Sequence, residues 1–230
     1  MTAAPVRAAV VVFPGSNCEH DVAHALARLG ADVSLVWHTD DDLGPADVTV
    51  IPGGFAHGDY LRPGALARFS PVMAAVGRAA LDGMPVLGIC NGFQILTEAA
   101  LLPGTLHKNR DLKFLCGPCE VEVTSTAAPL TRDLEAGRRL QVPINHFSGA
   151  YRCDDDTLGS LVEGANIVLR YVRNPNGSTA DIAGISSAEG NVVGLMPHPE
   201  RACDPLGATD GAPLLASFLA AGADRAGAGR

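Results

Sequence analysis

Cys90 stands in Gly88-Ile89-Cys90-Asn91-Gly92-Phe93-Gln94, directly after the apolar run Pro85-Val86-Leu87 and ahead of an apolar-faced segment. A small residue two positions either side of the thiol leaves room for a tight strand-to-helix turn. This is the pattern of a nucleophile elbow, with cysteine in the place of serine. A side chain on such a turn rises at the carboxyl end of a sheet, and the following helix aims its free N–H groups and positive dipole end at it. That setting favours the thiolate, the reactive form. A buried cysteine closing a strand, with no chemistry, is the plain alternative.

A second constellation lies far downstream, in Pro197-His198-Pro199-Glu200-Arg201 after the apolar run Val192 to Met196. On extended chain, residues two apart project to one side, so Glu200 is expected to orient His198. Two prolines stiffen that backbone. A base that must meet a thiol benefits from such stiffness, and a carboxylate beside it supports the imidazolium. The pair could instead be polar decoration of a surface loop, but with Cys90 it reads as a Cys90–His198–Glu200 triad. Pro52-Gly53-Gly54, at the end of Val48 to Ile51, can expose backbone N–H groups to a ligand. With the N–H of Asn91 they could form an oxyanion hole, or they could be an ordinary turn.

The elements that must position these groups are legible as a run of short apolar strands. Val6 to Phe13, Val33 to Trp37, Val48 to Ile51 and Val86 to Ile89 are expected strands. Helices over Glu19 to Leu29, Ala65 to Leu81 and Phe93 to Leu101 connect or follow them. The expected fold is an α/β protein, an open mostly parallel sheet covered by helices on both faces. Further strands are expected at Leu112 to Cys116, Glu120 to Val123, Val142 to Phe147, Ile167 to Tyr171 and Ile182 to Ile185. Gly117-Pro118 reads as a hairpin turn between two of them. Residues 1–222 are read as one domain, closed by a helix over Pro213 to Ala221, with 223–230 as a frayed tail.

Composition narrows the classes. The chain has 230 residues, a formal charge of −8 and only two lysines among 17 basic residues. Such a balance argues against nucleic-acid or anionic-membrane partners. The apolar run Ala8 to Phe13 is too short for a signal segment or a membrane span. Six scattered cysteines suggest a reducing, cytoplasmic setting rather than a disulfide scaffold. Cys116 and Cys119 have CxxC spacing but no second pair, so no metal site is expected. Asp40 to Asp42 reads as a solvated turn. No dinucleotide fingerprint or phosphate-binding loop is present.

Together the elbow, Pro52-Gly53-Gly54 and Pro197-His198-Pro199-Glu200 resemble class I glutamine amidotransferases. Phe13-Pro14-Gly15-Ser16-Asn17-Cys18, Gly58-Asp59-Tyr60-Leu61-Arg62 and Asn174-Pro175-Asn176-Gly177-Ser178 narrow the resemblance. They are similar to the glutaminase subunits of phosphoribosylformylglycinamidine synthases. The resemblance implies flavodoxin-like layering and hydrolysis of L-glutamine to glutamate and ammonia through a thioester on Cys90. It implies an oxyanion hole at Gly54 and Asn91, with Gly53 and Gln94 as substrate-binding residues. It also implies a separate synthetase subunit, using ATP and Mg²⁺ to make formylglycinamidine ribonucleotide, and a small bridging subunit. No cofactor is expected on this chain. Phe55, His57 and Tyr60 to Arg62 are an expected docking surface, or else a lid on their own domain. The stretch Asn145 to Gly149 departs from the family pattern: His146 and Gly149 fit, whereas Ser148 replaces an acidic residue. An amidotransferase for another acceptor, a stand-alone cysteine hydrolase and a non-catalytic interaction subunit are the competing readings.

Overall fold

The computed structural model describes residues 4–228. In chain order the elements are β1 (Arg7–Val12), α1 (Glu19–Arg28), β2 (Asp32–Trp37), β3 (Val48–Ile51), α2 (Pro71–Leu81), β4 (Val86–Ile89) and α3 (Asn91–Glu98). They continue with β5 (Thr105–His107), β6 (Leu115–Val123), β7 (Arg139–His146), β8 (Ala150–Arg152), α4 (Asp155–Glu163) and β9 (Ile167–Tyr171). Last come β10 (Ile182–Ser186), β11 (Val192–Leu195) and α5 (Ala212–Ala228).

Nine strands form one sheet in the order β2-β1-β3-β4-β11-β10-β9-β6-β7. The run from β2 to β11 is parallel, and the remainder is an antiparallel extension. The central parallel strands are buried along their whole length and, Thr49 apart, apolar, as suits strands covered on both faces. Helices cover both faces of the sheet, as expected for this layering. Cys90 and His198 leave neighbouring strands, because β4 pairs in parallel with β11 and both end on the same edge. The topology, not sequence proximity, brings the two motifs together.

Four expectations are corrected. Gly117-Pro118 is not a hairpin turn, since β6 runs unbroken through it. Pro118 faces Pro143 of β7, and two residues without N–H groups are tolerated opposite one another where no ladder bond is needed. The turn between β6 and β7 is instead made after Val123. The helix expected from Ala65 starts only at Pro71, whose ring suits a first helical position. The C-terminal helix reaches Ala228, so 223–228 are helical rather than frayed; 229–230 lie outside the described residues. The stretch after His198 is a 3₁₀ turn over Pro199–Ala202, not extended chain.

Two glycines let α3 lie against the sheet. A Cβ at Gly92 would sit 2.0 Å from the Ile51 carbonyl oxygen, and one at Gly88 would sit 2.7 Å from Gly92 backbone. Neither neighbour can swing away, because both are backbone. Gly92→Ala is therefore expected to destabilise the fold by about 3 kcal/mol, the upper end for overpacking. A urea midpoint within error of the parent would refute this.

Candidate functional site

Cys90 sits between β4 and α3 at φ 53°, ψ −103°, a conformation that L residues avoid. It is held there because its N–H donates to the Leu195 carbonyl at 2.8 Å. The side chain is 5 % exposed, and its thiol donates to the Asn145 carbonyl at 3.7 Å.

His198 is fixed from two sides. Its N–H donates to the Pro143 carbonyl at 2.8 Å, an oxygen left free because Pro143 faces Pro118 on the other edge. Its ring Nδ1 donates to Glu200 Oε1 at 2.6 Å, with both side chains buried. The 3₁₀ turn folds Glu200 back toward the ring, and the Arg201 N–H returns to the His198 carbonyl at 3.2 Å. Thus Pro199, expected to keep the chain straight, starts the turn that makes the pair.

Burial alone would push the His198 pKa down. The Glu200 carboxylate and the thiols of Cys90 and Cys18 outweigh it, so the pKa is raised well above the ordinary histidine value. Its Nε2 is buried without a hydrogen-bond partner: both thiols are near, but neither is aligned on it.

Gly53 and Gly54 divide their work. A Cβ on Gly53 would come within 2.7 Å of His198 Cε1 and 3.1 Å of Cys18 Sγ. Its smallness lets His198, Cys18 and Cys90 close up; it stands behind them rather than on the cavity wall. Gly54 lines the cavity, at φ 152° and hemmed by Asn17, Gly15 and Ser16 backbone. The adjacent Phe55 N–H is tied to Gly15, whereas the N–H groups of Gly54 and Asn91 enter no turn or ladder bond.

The Asn91 side chain stitches α3 to the loop after β3. Its Oδ1 accepts the Ala56 N–H at 2.9 Å, and its Nδ2 donates to Asp59 at 3.2 Å and Gln94 Oε1 at 2.8 Å. Gln94 in turn donates to the Ser148 carbonyl at 2.6 Å, while reaching the cavity. Burial pushes the Asp59 carboxyl up to about 6, against the lowering effect of the Asn91 hydrogen bond. His57, Asp59 and Leu61 all have positive φ. This loop is therefore held in a strained form beside the site. Phe55, Tyr60 and Leu61 are exposed on it, Leu61 at 86 %.

A cavity of about 760 Å³ brings Cys90, His198, Gly54 and Gln94 onto one wall, with Asp59, His146 and Arg201 around them. That volume is in the range of small-molecule sites. Sequence reasoning missed Cys18, Asp59, His146 and Arg201 as parts of the site. The Cys18 sulfur, His198 and Glu200 have their donor atoms within 4.8 Å of one another, a set that could in composition hold a metal. However, His198 and Glu200 are hydrogen-bonded to each other, and the Arg201 guanidinium donates to Cys18 Sγ at 3.2 Å. A second cation there would face the first.

Cys116 and Cys119 form no pair. Three apart on one strand they take opposite faces: Cys116 is exposed and Cys119 buried. The Cys119 thiol donates to the Val142 carbonyl at 3.1 Å, and burial pushes its pKa up to about 12. Among the described residues no helix is long and apolar enough to cross a membrane.

Residues 5–210 match the family model of the CobB/CobQ-like glutamine amidotransferase domain. The chain is 52 % identical over 216 residues to a protein of Rubrobacter xylanophilus named phosphoribosylformylglycinamidine synthase subunit PurQ, covering 94 % of this chain and 98 % of the relative. A protein of the same name from Parasynechococcus marenigrum is 53 % identical over 212 residues, with 91 % and 98 % covered. A chain in the solved structure of PurLQS from Thermotoga maritima superposes with a TM-score of 0.88 at 44 % identity, over 94 % of this chain and 99 % of that one.

Proposed function

This chain belongs to the CobB/CobQ-like glutamine amidotransferase family, and on that premise we propose that it is the glutaminase subunit of a phosphoribosylformylglycinamidine synthase. It hydrolyses L-glutamine and passes the ammonia to a synthetase subunit. The observation that carries this reading is the His198–Glu200 contact of 2.6 Å on the wall of the cavity that Cys90 enters. A base with its tautomer fixed by a buried carboxylate, beside a thiol on an elbow, is built for acyl transfer.

Glutamine enters with its side-chain amide toward Cys90. Glu200 holds the Nδ1 hydrogen of His198, so Nε2 is the atom that takes the thiol proton. The sulfur attacks the amide carbon, and the developing oxyanion meets the N–H groups of Gly54 and Asn91. When the carbon–nitrogen bond breaks, His198 returns the proton to the nitrogen and ammonia leaves. Water, activated by His198, then releases glutamate from the Cys90 thioester. Gln94, tied to Asn91 and Ser148, shapes the wall against which glutamine lies.

Ammonia in neutral water is mostly ammonium, which is no nucleophile, so it must be handed on directly. The relatives named PurQ and the likeness to a chain of PurLQS support a synthetase partner and a small bridging subunit. ATP and Mg²⁺ belong to that synthetase, which converts formylglycinamide ribonucleotide to the formylglycinamidine. The strained loop with exposed Phe55, Tyr60 and Leu61 is the surface we assign to docking. A cytoplasmic setting, where thiols stay reduced, suits a nucleophile that must remain free. Residues 1–222 act as one amidotransferase domain in this reading.

The test is glutamate release from L-glutamine by the chain alone, then with the synthetase, formylglycinamide ribonucleotide and Mg-ATP. Low release alone and a large rise in the full mixture are expected. Equal rates in both would mean an uncoupled hydrolase, and none in either would mean a docking role.

A further inference from the structure

His146 plays no part in the chemistry above, yet it lines the cavity with its ring held in place by Asn109 and Gly149. Asn109 fixes its tautomer. The Asn109 Nδ2 donates to the Lys113 and His146 carbonyls, each at 2.9 Å, so the amide cannot be flipped. Its Oδ1 therefore faces both the Gly149 N–H and His146 Nδ1, each at 3.1 Å. An amide oxygen only accepts, so Nδ1 carries the ring hydrogen and Nε2 is a bare lone pair. That Nε2 is buried without a hydrogen-bond partner, in a side chain 3 % exposed that lines the cavity. Gly149 gives the ring its place, since a Cβ there would lie 2.3 Å from Cε1 and Nδ1. A buried acceptor without a donor is unfavourable, and the open space beside this side chain is the cavity it lines.

The strand says which donor. His146 ends β7, whose Asn145 carbonyl receives the Cys90 thiol and whose Pro143 carbonyl receives the His198 N–H. It stands with the groups that act on the amide end of the substrate. Resting on the glutaminase reading, we propose that His146 Nε2 accepts a hydrogen bond from the amide nitrogen of glutamine and then from the ammonia it becomes.

The step balances without His146 exchanging a proton. The carbon–nitrogen bond breaks, the His198 imidazolium proton goes to nitrogen, and the oxyanion pair re-forms the carbonyl of the Cys90 thioester. Burial, reinforced by His198, pushes the His146 pKa down to about 4. The ring is therefore neutral near pH 7 and holds ammonia without turning it into ammonium.

The test compares two substrates in the assembled enzyme: glutamine, and the γ-methyl ester of glutamate, whose leaving group carries no N–H. For His146→Leu we expect kcat/KM to fall ten- to a hundredfold with glutamine and less than threefold with the ester. Labelling of Cys90 by a glutamine-shaped diazoketone should proceed at the wild-type rate, showing an intact fold and an intact amino-acid end. Equal losses on both substrates, or glutamine turnover kept within threefold, would overturn the proposal. Wild-type protein that releases glutamate from neither substrate would instead overturn the glutaminase reading itself. A measurement on wild-type protein is independent of how the variant folds. In ¹⁵N NMR of the imidazoles, His146 should be neutral with its hydrogen on Nδ1, and a hydrogen on Nε2 would overturn the assignment.

Discussion

Cys90→Ala should lower glutamine-dependent formation of the amidine by about 10⁴-fold or more, the scale on which nucleophile removal acts. The same complex supplied with a high concentration of ammonium salt should keep its activity. Only the nitrogen source is lost, since the acceptor chemistry belongs to the synthetase. The control is Cys18→Ala. Its sulfur lies within 4.8 Å of the donor atoms of His198 and Glu200, so proximity to the base does not by itself identify the nucleophile. The backbone does. Cys90 stands at positive φ before the first turn of α3, below the free N–H of Asn91. Cys18 instead precedes α1 with its sulfur occupied by Arg201. We expect Cys18→Ala to retain activity within about tenfold, as for a neighbour that supports the site without forming the bond. If Cys18→Ala were the inactive variant and Cys90→Ala the active one, the roles would be exchanged. Loss of ammonia-driven activity in Cys90→Ala would remove the separation between the two subunits' tasks.

What could be read from the sequence here is what local chemistry dictates. Gly88-x-Cys90-x-Gly92 announces a tight turn by its small residues alone, and the Gly88 contact with Gly92 backbone lies within that strand–turn–helix unit, whereas the Ile51 carbonyl that crowds Gly92 comes from β3. His198 and Glu200 are two apart, so their pairing was legible even though the reason offered for it, extended chain, was the wrong one. Cys18, Asp59, Asn109 and His146 were not legible as site residues. Each owes its role to a partner far along the chain, such as Arg201 for Cys18 or Asn91 for Asp59. Gly117-Pro118 misled because its turn chemistry is genuine; only the register that sets Pro118 against Pro143 overrides it. The small-residue end of the chain looked frayed, yet alanine is the best helix former, and Arg132 pairs with Asp224 at 2.7 Å. The helix α4 did leave a signal: Asp154 caps it by accepting the Thr157 N–H at 2.8 Å, the hallmark of an N-terminus.

Glu200→Gln is the variant in which the electrostatics of the site become visible. The substitution keeps shape and a hydrogen-bond acceptor but removes the charge that holds the His198 pKa up against burial. With the charge gone, burial prevails and the pKa falls. The imidazolium that must protonate the leaving nitrogen then disappears at a lower pH. The alkaline limb of the kcat profile should move to lower pH, and kcat/KM should fall by about 10²- to 10⁴-fold, as when the orienting carboxylate of a triad is neutralised. Stability should respond with a definite sign. A histidine whose pKa is raised on folding contributes stability fully present below its unfolded value and lost as pH rises through the folded one. Wild-type protein gains most from the pair on the acid side, and in alkali it is left with a buried Glu200 carboxylate that keeps its hydrogen bond to His198 but has lost its counter-charge. The variant has neither the gain nor the penalty. The difference in thermal midpoint, wild type minus Glu200→Gln, should therefore be largest near pH 6 and shrink or reverse as the pH rises. Glu200→Asp, which keeps the charge on a shorter arm, should lose rate while leaving the alkaline limb nearer its wild-type position. A Glu200→Gln enzyme with an unchanged pH profile and near-normal rate would show that the carboxylate does not govern the base.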